Sequence, residues 1–444
     1  MIAHLLKQIK ASQIYICLLT VVIIGTIWNV YIKSLFGITS GNIFCIYKDM
    51  LFIIFIAFAL ITFLIRPMLF YINKYDLIYI IFIIYSFIHI LITYYYTNSL
   101  TIGIYKFRSY FIAYIMYLCF VFFFKMDSKY FCITVKLIKS VIVLSFVWAI
   151  AEAILINTKI IPIQSIILFL ETSVPLGQPL YQISHNGVNY LPRTYGILAD
   201  TSVSGIFYLI GFMAFMPESL NKLNNKNKLF ILLGIIAIFV SFSKTALFLL
   251  IIILSFVTLT NKKNKIYLMA FNLLLICTVL ITYNYHTEFK NMIDTMLFKW
   301  VPVYIERLQY FLLNASVMNL LFGSGYDVQK ESLILLGLLN STDITIVPLG
   351  SELFFVSIFI MWGFIGFIVY LLFFFFYPLL FYFKNKDILI KGMSMAVISG
   401  GLSSVHYNAI FHTGVDILVC LFAACLSYRY HYLKKLNKIG NYLA

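Results

Sequence analysis

Apolar residues run through this chain in stretches of roughly 17–25 residues, separated by short gaps that hold most of the lysines. Each stretch is long enough to cross a ~30 Å hydrocarbon core as a helix. The pattern predicts twelve spans, at about 12–32, 50–68, 76–95, 106–124, 133–156, 203–217, 229–242, 245–260, 266–284, 352–376, 392–408 and 413–428. The tightest connection joins the short spans 229–242 and 245–260 through the tetrapeptide SFSK. The first apolar segment lacks a small-residue cleavage site and is followed by further spans, so it reads as an anchor and not as a cleavable signal.

Two gaps break the rhythm by their length, 157–202 and 285–351, within what otherwise reads as a single integral membrane domain over 1–444. Six of the nine prolines lie in them (Pro162, Pro175, Pro179, Pro192, Pro302 and Pro348), which marks shaped, irregular backbone. Each also carries an apolar stretch too short to span, IPIQSIILFL at 161–170 and ESLILLGLL at 331–339, suited to a helix lying in the interface. Loops this long between spans are usually functional. No internal repeat and no inverted pair of broken helices of the transporter kind stands out.

Composition agrees with a membrane protein: 63% of the 444 residues are hydrophobic, 11% are charged, and the mean hydropathy is +0.98. The formal charge of +16 is not spread evenly. Clusters at 66–74, 125–139, 222–228, 262–265, 384–391 and 429–438 all fall on one side, with Lys7 and Lys10, which makes that side and both termini cytoplasmic. The basic residues form no soluble domain and no long stripe, so nucleic acid is not an expected partner, whereas anionic lipid headgroups are. Six cysteines (Cys17, Cys119, Cys132, Cys277, Cys420 and Cys425) lie in or beside spans and Cys45 stands alone, with no CxxC pair and no metal-ligand spacing.

Lys106, Arg108, Arg193, Lys244 and Arg307 fall on the opposite, outer side, and three of the chain's five arginines are among them. Positive charge placed against the orientation rule suggests an anionic ligand there. Arg193, in LPRTYGILADTSVSG at 191–205, offers a planar fork for phosphate oxygens. Gly196, Asp200, Ser202, Ser204 and Gly205 beside it give a turn and a helix start whose free N–H groups add anion affinity. Arg193 reads equally as a juxtamembrane residue snorkelling to headgroups. Lys244, in SFSKTALF, occupies a tight outer turn with two serines and Thr245 as hydroxyl donors. Arg307 follows Glu306 on a helical stretch that stops at GSG in 323–325, and a loop ion pair is its bland alternative. Arg108 beside Lys106 reads first as an aromatic and basic interfacial anchor, and second as a further anion contact.

Among the acids, Glu352 begins the span 352–376 and reads either as a base for a hydroxyl nucleophile or as an acid favoured by the helix macrodipole. Glu152 and Asp416 are intramembrane acids and so functional candidates by default. Asp416 with His406 and His412 reads as a local hydrogen-bonded network, and His89 and Glu152 as glue between helices. No Gly-rich phosphate loop, Walker lysine or HExxH motif occurs, so ATP hydrolysis and zinc proteolysis have no support.

Four segments, RTYGILADTSVSG at 193–205, SFSKTALF at 241–248, ERLQYF…FGSGYD at 306–327 and SELFF with WGFIGFIVYLLF at 351–373, resemble in order and spacing the bacterial O-antigen polymerase and ligase superfamily. The resemblance extends over most of the chain. It implies an all-α polytopic glycosyltransferase of about twelve spans with two long periplasmic loops and a GT-C-like architecture, resident in the bacterial inner membrane. It implies oligosaccharide repeat units on undecaprenyl pyrophosphate as substrates, no cofactor and no metal, and a chain-length regulator as a possible partner. Arg193, Lys244, Arg307 and Arg108 would hold the pyrophosphate, Arg193 and Arg307 would neutralise charge on the leaving group, and Glu352 would serve as base. Lysine at 244 departs from the arginine common in the family, and Ser351-Glu352 stands where the ligase branch carries a histidine, which favours polymerase over ligase. A lipid-linked oligosaccharide flippase is the alternative from another class, but it calls for ionisable groups deep in the spans and for short loops.

Overall fold

A computed structural model of the protein describes residues 11–37, 47–65, 72–161, 165, 194, 196–198, 200–221, 224–241, 243–260, 265–285, 290, 294, 301–326, 354–404, 409–412 and 414–443. All regular structure among the described residues is helical: α1 (Ala11–Ile27), α2 (Asn29–Leu35), α3 (Tyr47–Ile65), α4 (Lys74–Thr97), α5 (Leu100–Met126), α6 (Ser128–Asn157), α7 (Thr201–Asn221), α8 (Asn225–Val240), α9 (Lys244–Thr260), α10 (Lys265–Tyr285), α11 (Val301–Asn314), α12 (Val317–Phe322), α13 (Phe354–Leu371), a π-helical turn (Leu372–Phe376), α14 (Tyr377–Lys384), α15 (Ile388–Ser403), a short 3-10 turn (Ala409–Phe411) and α16 (Val415–Leu443). Each of the twelve apolar segments overlaps a helix. Six helical stretches are long and apolar enough to cross a membrane unaided, and α1 with α2 adds a seventh if that bent pair is one span. Helices α9 and α15 are apolar but shorter. The chain is an α-helical polytopic membrane protein.

Short polar residues set where these helices begin. Asn73 and Asp76 form a reciprocal capping box at α4, Ser99 caps α5, Asp127 caps α6, Asn224 caps α8 and Asp387 caps α15. The interior is built on α7, of whose apolar window 83% is buried, against 22% for α3 at the periphery. Helix α7 packs on α15, α8 and α6, and α5 packs on α4 and α16. A Cβ on Gly392 would overlap the Ala214 carbonyl oxygen, so α15 lies on α7 at a separation only glycine permits. Outward-facing Ile53, Leu60, Phe87, Leu91, Phe248 and Leu274 are exposed, as a lipid-facing surface requires.

Two spans depart from a straight helix. The first bends by 82° at Trp28, where the Tyr47 hydroxyl donates to the Gly25 carbonyl at 2.7 Å. The apolar run 352–376 breaks at Gly363, whose φ of 63° is left-handed. That break releases carbonyls that must be satisfied where water is excluded. Ser324 N–H donates to Ile360 O at 3.0 Å, Gly325 N–H to Met361 O at 3.1 Å and the Tyr85 hydroxyl to Trp362 O at 2.6 Å. The GSG stop after α12 is thus a plug for the broken helix. Tyr326 N–H donates to Thr93 Oγ1, and His89 sits between the carbonyls of Tyr85 and Phe322, 2.9 and 2.8 Å from its ring nitrogens. His89 ties α4 to α12, the glue role its position suggested.

Charge separates to the two ends of the bundle. At one end Asp76, with no exposed surface, accepts from Tyr117, Ser427, Lys125 and the Asn73 N–H, joining α4, α5 and α16. Lys139–Glu218 and Arg429–Asp387 pair at the same end, both at 2.8–2.9 Å. The opposite end carries Arg108, Lys48, Asp49 and the turn around Gly196 and is called outer below.

Candidate functional site

The segment that follows Arg193 and the segment that precedes Lys244 are hydrogen-bonded to each other at the outer end. Thr194 donates to Val240 O from its backbone (3.4 Å) and its hydroxyl (3.2 Å), and the Ser243 hydroxyl donates to Ser202 O at 3.2 Å. Residues 196–198 form a turn and α7 starts at Thr201, as the glycine and hydroxyl pattern indicated. Gly196 has φ 66°, and a Cβ there would lie 2.6 Å from both the Tyr208 hydroxyl and Ser204. The Ile197 and Leu198 N–H groups donate to Tyr208 and Ser204, which fixes the turn from inside α7.

Two expectations about donors are corrected. The N–H groups of Ser202 and Val203 are not open to an anion, because the Asp200 carboxylate caps both at 2.8 and 3.0 Å. The serines flanking Lys244 are likewise spent: Ser241 donates to Ile238 O and Ser243 to Ser202 O, and each hydroxyl has one proton to give. They shape the turn that sets Lys244 as the first residue of α9.

Glu152, buried near the end of α6, accepts the Gly196 N–H at 3.0 Å, while Tyr31 of α2 donates to the Gly196 carbonyl at 2.9 Å. One residue, Gly196, is thereby clamped through both of its peptide groups from two helices. Beside it lies a cavity of about 550 Å³ walled by Trp28, Tyr31, Ile32, Leu35, Trp148 and Glu152 among others. Apart from that carboxylate the wall is overwhelmingly apolar, suited to hydrocarbon.

Arg193 and Glu352 lie outside the described residues, as does His406. Arg307 is on α11, which packs on α13 through Phe311 and Phe359, with rings 6.1 Å apart. Arg108 gives both Nε (2.8 Å) and Nη2 (2.7 Å) to Asp49 Oδ2 and stacks near the Tyr105 ring, while Lys106 stands over Tyr110. That matches an aromatic and basic anchor, with Asp49 as an acid partner. Asp416 accepts from the N–H groups of Gly414 and Ile417 at 2.9 and 2.6 Å, which holds the carboxylate at the start of α16.

Lys33, Lys48 and Asp49 were missed. The gap between the first two spans also falls on the outer side, so Lys33 and Lys48 break the orientation rule as Arg108 does; the signal was present and hidden by the gap's shortness. Among the described residues no three His, Cys, Asp or Glu side chains gather as a metal site would require. Compared with known proteins, the chain matches no family model, no curated protein and no solved structure.

Proposed function

We propose that the protein joins oligosaccharide repeat units carried on undecaprenyl pyrophosphate, by glycosyl transfer at the periplasmic face of a bacterial inner membrane. The observation that carries this reading is the junction of Thr194 with Val240 and of Ser202 with Ser243, which brings the neighbours of Arg193 and Lys244 together beside an apolar cavity of about 550 Å³. A pyrophosphate bound by those cations, with its hydrocarbon along the cavity, is the ligand that suits both features.

In the proposed reaction an acceptor hydroxyl oxygen attacks the anomeric carbon of the donor, and the bond from that carbon to the pyrophosphate oxygen breaks. Carrier pyrophosphate leaves with the bonding pair, and Arg193, Lys244 and Arg307 would offset its growing charge. The hydroxyl proton passes to a base, for which Glu352 is the candidate. Twelve crossings with both termini cytoplasmic belong to the same proposal.

Cells lacking the protein should carry surface glycan capped at one repeat unit, and Arg193→Ala should reproduce this. Gel analysis of the glycan checks both. Long chains retained on the carrier would instead indicate a ligase, and repeat units trapped on the cytoplasmic leaflet would indicate a flippase.

A further inference from the structure

Hydropathy assigns the whole of 285–351 to a loop outside the membrane, yet part of it is pinned into the bundle. Between Arg307 and Asp327 the chain carries no charged side chain. Helices α11 and α12 occupy most of this stretch, and α12 packs on α13. The side that meets the bundle is filled: Phe311 is buried with its ring against Phe359, and Gly323, Ser324, Gly325 and Tyr326 are all buried. The other side is bare. Leu313, Val317 and Met318 are 83%, 71% and 64% exposed, with Leu312 and Leu321 beside them. A contiguous apolar face of this kind marks contact with a membrane or with another protein.

Depth distinguishes the two. The Phe322 carbonyl lies 2.8 Å from His89 Nε2, and the Tyr326 N–H donates to Thr93 Oγ1 at 2.7 Å. His89 and Thr93 sit eight and four residues before the outer end of α4 at Thr97, which is about 12 and 6 Å at 1.5 Å per residue. Exposed Tyr94 and Tyr95 stand above both contacts, where interfacial aromatics mark the membrane surface. Phe87, Ile88 and Leu91, on the same part of α4, are exposed to lipid. The Leu321 carbonyl lies against Gly363, and the adjoining Phe364 is exposed, so the bare face of α12 continues into the lipid-facing side of α13. Irregular backbone enters hydrocarbon only where protein buries it, and the segment from Gly323 to Tyr326 meets that condition through its bonds to α13 and α4.

We propose that the corner between α11 and α12 is a re-entrant segment seated in the outer leaflet, with Leu313, Val317 and Met318 against lipid acyl chains. It enters and leaves at the same face, so the number of crossings is unchanged. Its role is to anchor the second outer loop in the bilayer, and it stands whether or not the protein transfers sugars.

Full-length protein carrying the photoreactive residue p-benzoylphenylalanine in place of Met318 would be irradiated in phosphatidylcholine liposomes, and its adducts identified by mass spectrometry. The same substitution at Leu91, on the lipid face of α4, and at Lys226, exposed at the start of α8, gives the two reference yields. Position 318 should form acyl-chain adducts as Leu91 does, about 10-fold or more above Lys226, because water is excluded from the hydrocarbon layer. Thermal midpoints would show that each variant is folded, and the substitution at Leu313 supplies the same reading if the one at Met318 does not fold. A yield no higher than that of Lys226 overturns the proposal. Adducts confined to the choline headgroup place the corner at the surface and overturn its seating in the leaflet. Covalent dimers in place of lipid adducts assign the face to a second copy of the chain and overturn it as well.

Discussion

Asp76 accepts four hydrogen bonds, from Tyr117, Ser427, Lys125 and the Asn73 N–H, without any exposed surface. Removing one partner of such a buried pair leaves the others uncompensated, at a cost of about 3–5 kcal/mol. Asp76→Ala should therefore unfold the protein in detergent far below the wild-type temperature, followed by a thermal fluorescence assay. Lys139→Ala provides the contrast: its pair with Glu218 is 31% and 45% exposed, and exposed pairs contribute about 0–1 kcal/mol. At this scale the sequence was only partly readable. The motif carrying Gly196 and Asp200 announced a turn and a capped helix. Whether the Ser243 hydroxyl points to a ligand or to backbone depends on which carbonyls lie within reach, and the one it finds belongs to Ser202 of α7, some forty positions away. Asp49 was hidden for a related reason, since an acid beside a lysine at a helix start looks like ordinary capping until Arg108 is seen against it.

At the scale of elements, the break in α13 and the plug after α12 act as one unit. Gly363 and Gly323, at φ 63° and 80°, approach so closely that a Cβ on Gly363 would overlap the Gly323 N–H and crowd the Leu321 carbonyl at 2.6 Å. Gly363→Ala should displace the plug and destabilise by about 1–3 kcal/mol. Limited proteolysis between α11 and α13 should speed up accordingly, and an unchanged cleavage rate would show that the plug tolerates the methyl group. The apolar run 352–376 could not reveal this break, because glycine is common within membrane helices and hydropathy is blind to φ. Helix limits were far more legible. The caps at Asn73, Asp127 and Asn224 are local side-chain-to-backbone bonds, determined by residues two or three positions apart.

For the whole molecule, the partition of charge is the strongest common thread between sequence and structure. The clusters that hydropathy placed on one side supply Lys125, Lys139 and Arg429 to one end of the bundle, while Arg108, Lys48 and the Lys244 turn occupy the other. With the proposed orientation, a cysteine introduced at exposed Lys386 should react with an impermeant maleimide only after the inner face is opened. One at exposed Lys159 should react in intact spheroplasts, and the reverse pattern would invert the topology. Orientation alone does not distinguish polymerase, ligase and flippase, since all three would span the membrane and meet lipid-linked sugar at the periplasmic face, as substrate or as product. Bond formation does.

The most direct test is therefore chemical: purified protein in liposomes, supplied with one undecaprenyl-pyrophosphate-linked repeat unit and no nucleotide sugar. A ladder of glycans should form, with one undecaprenyl pyrophosphate released for each new linkage, and Lys244→Ala should abolish both products together. Lipid-linked units that cross the bilayer or remain unchanged, with no ladder and no released carrier, would contradict glycosyl transfer as the function of this fold.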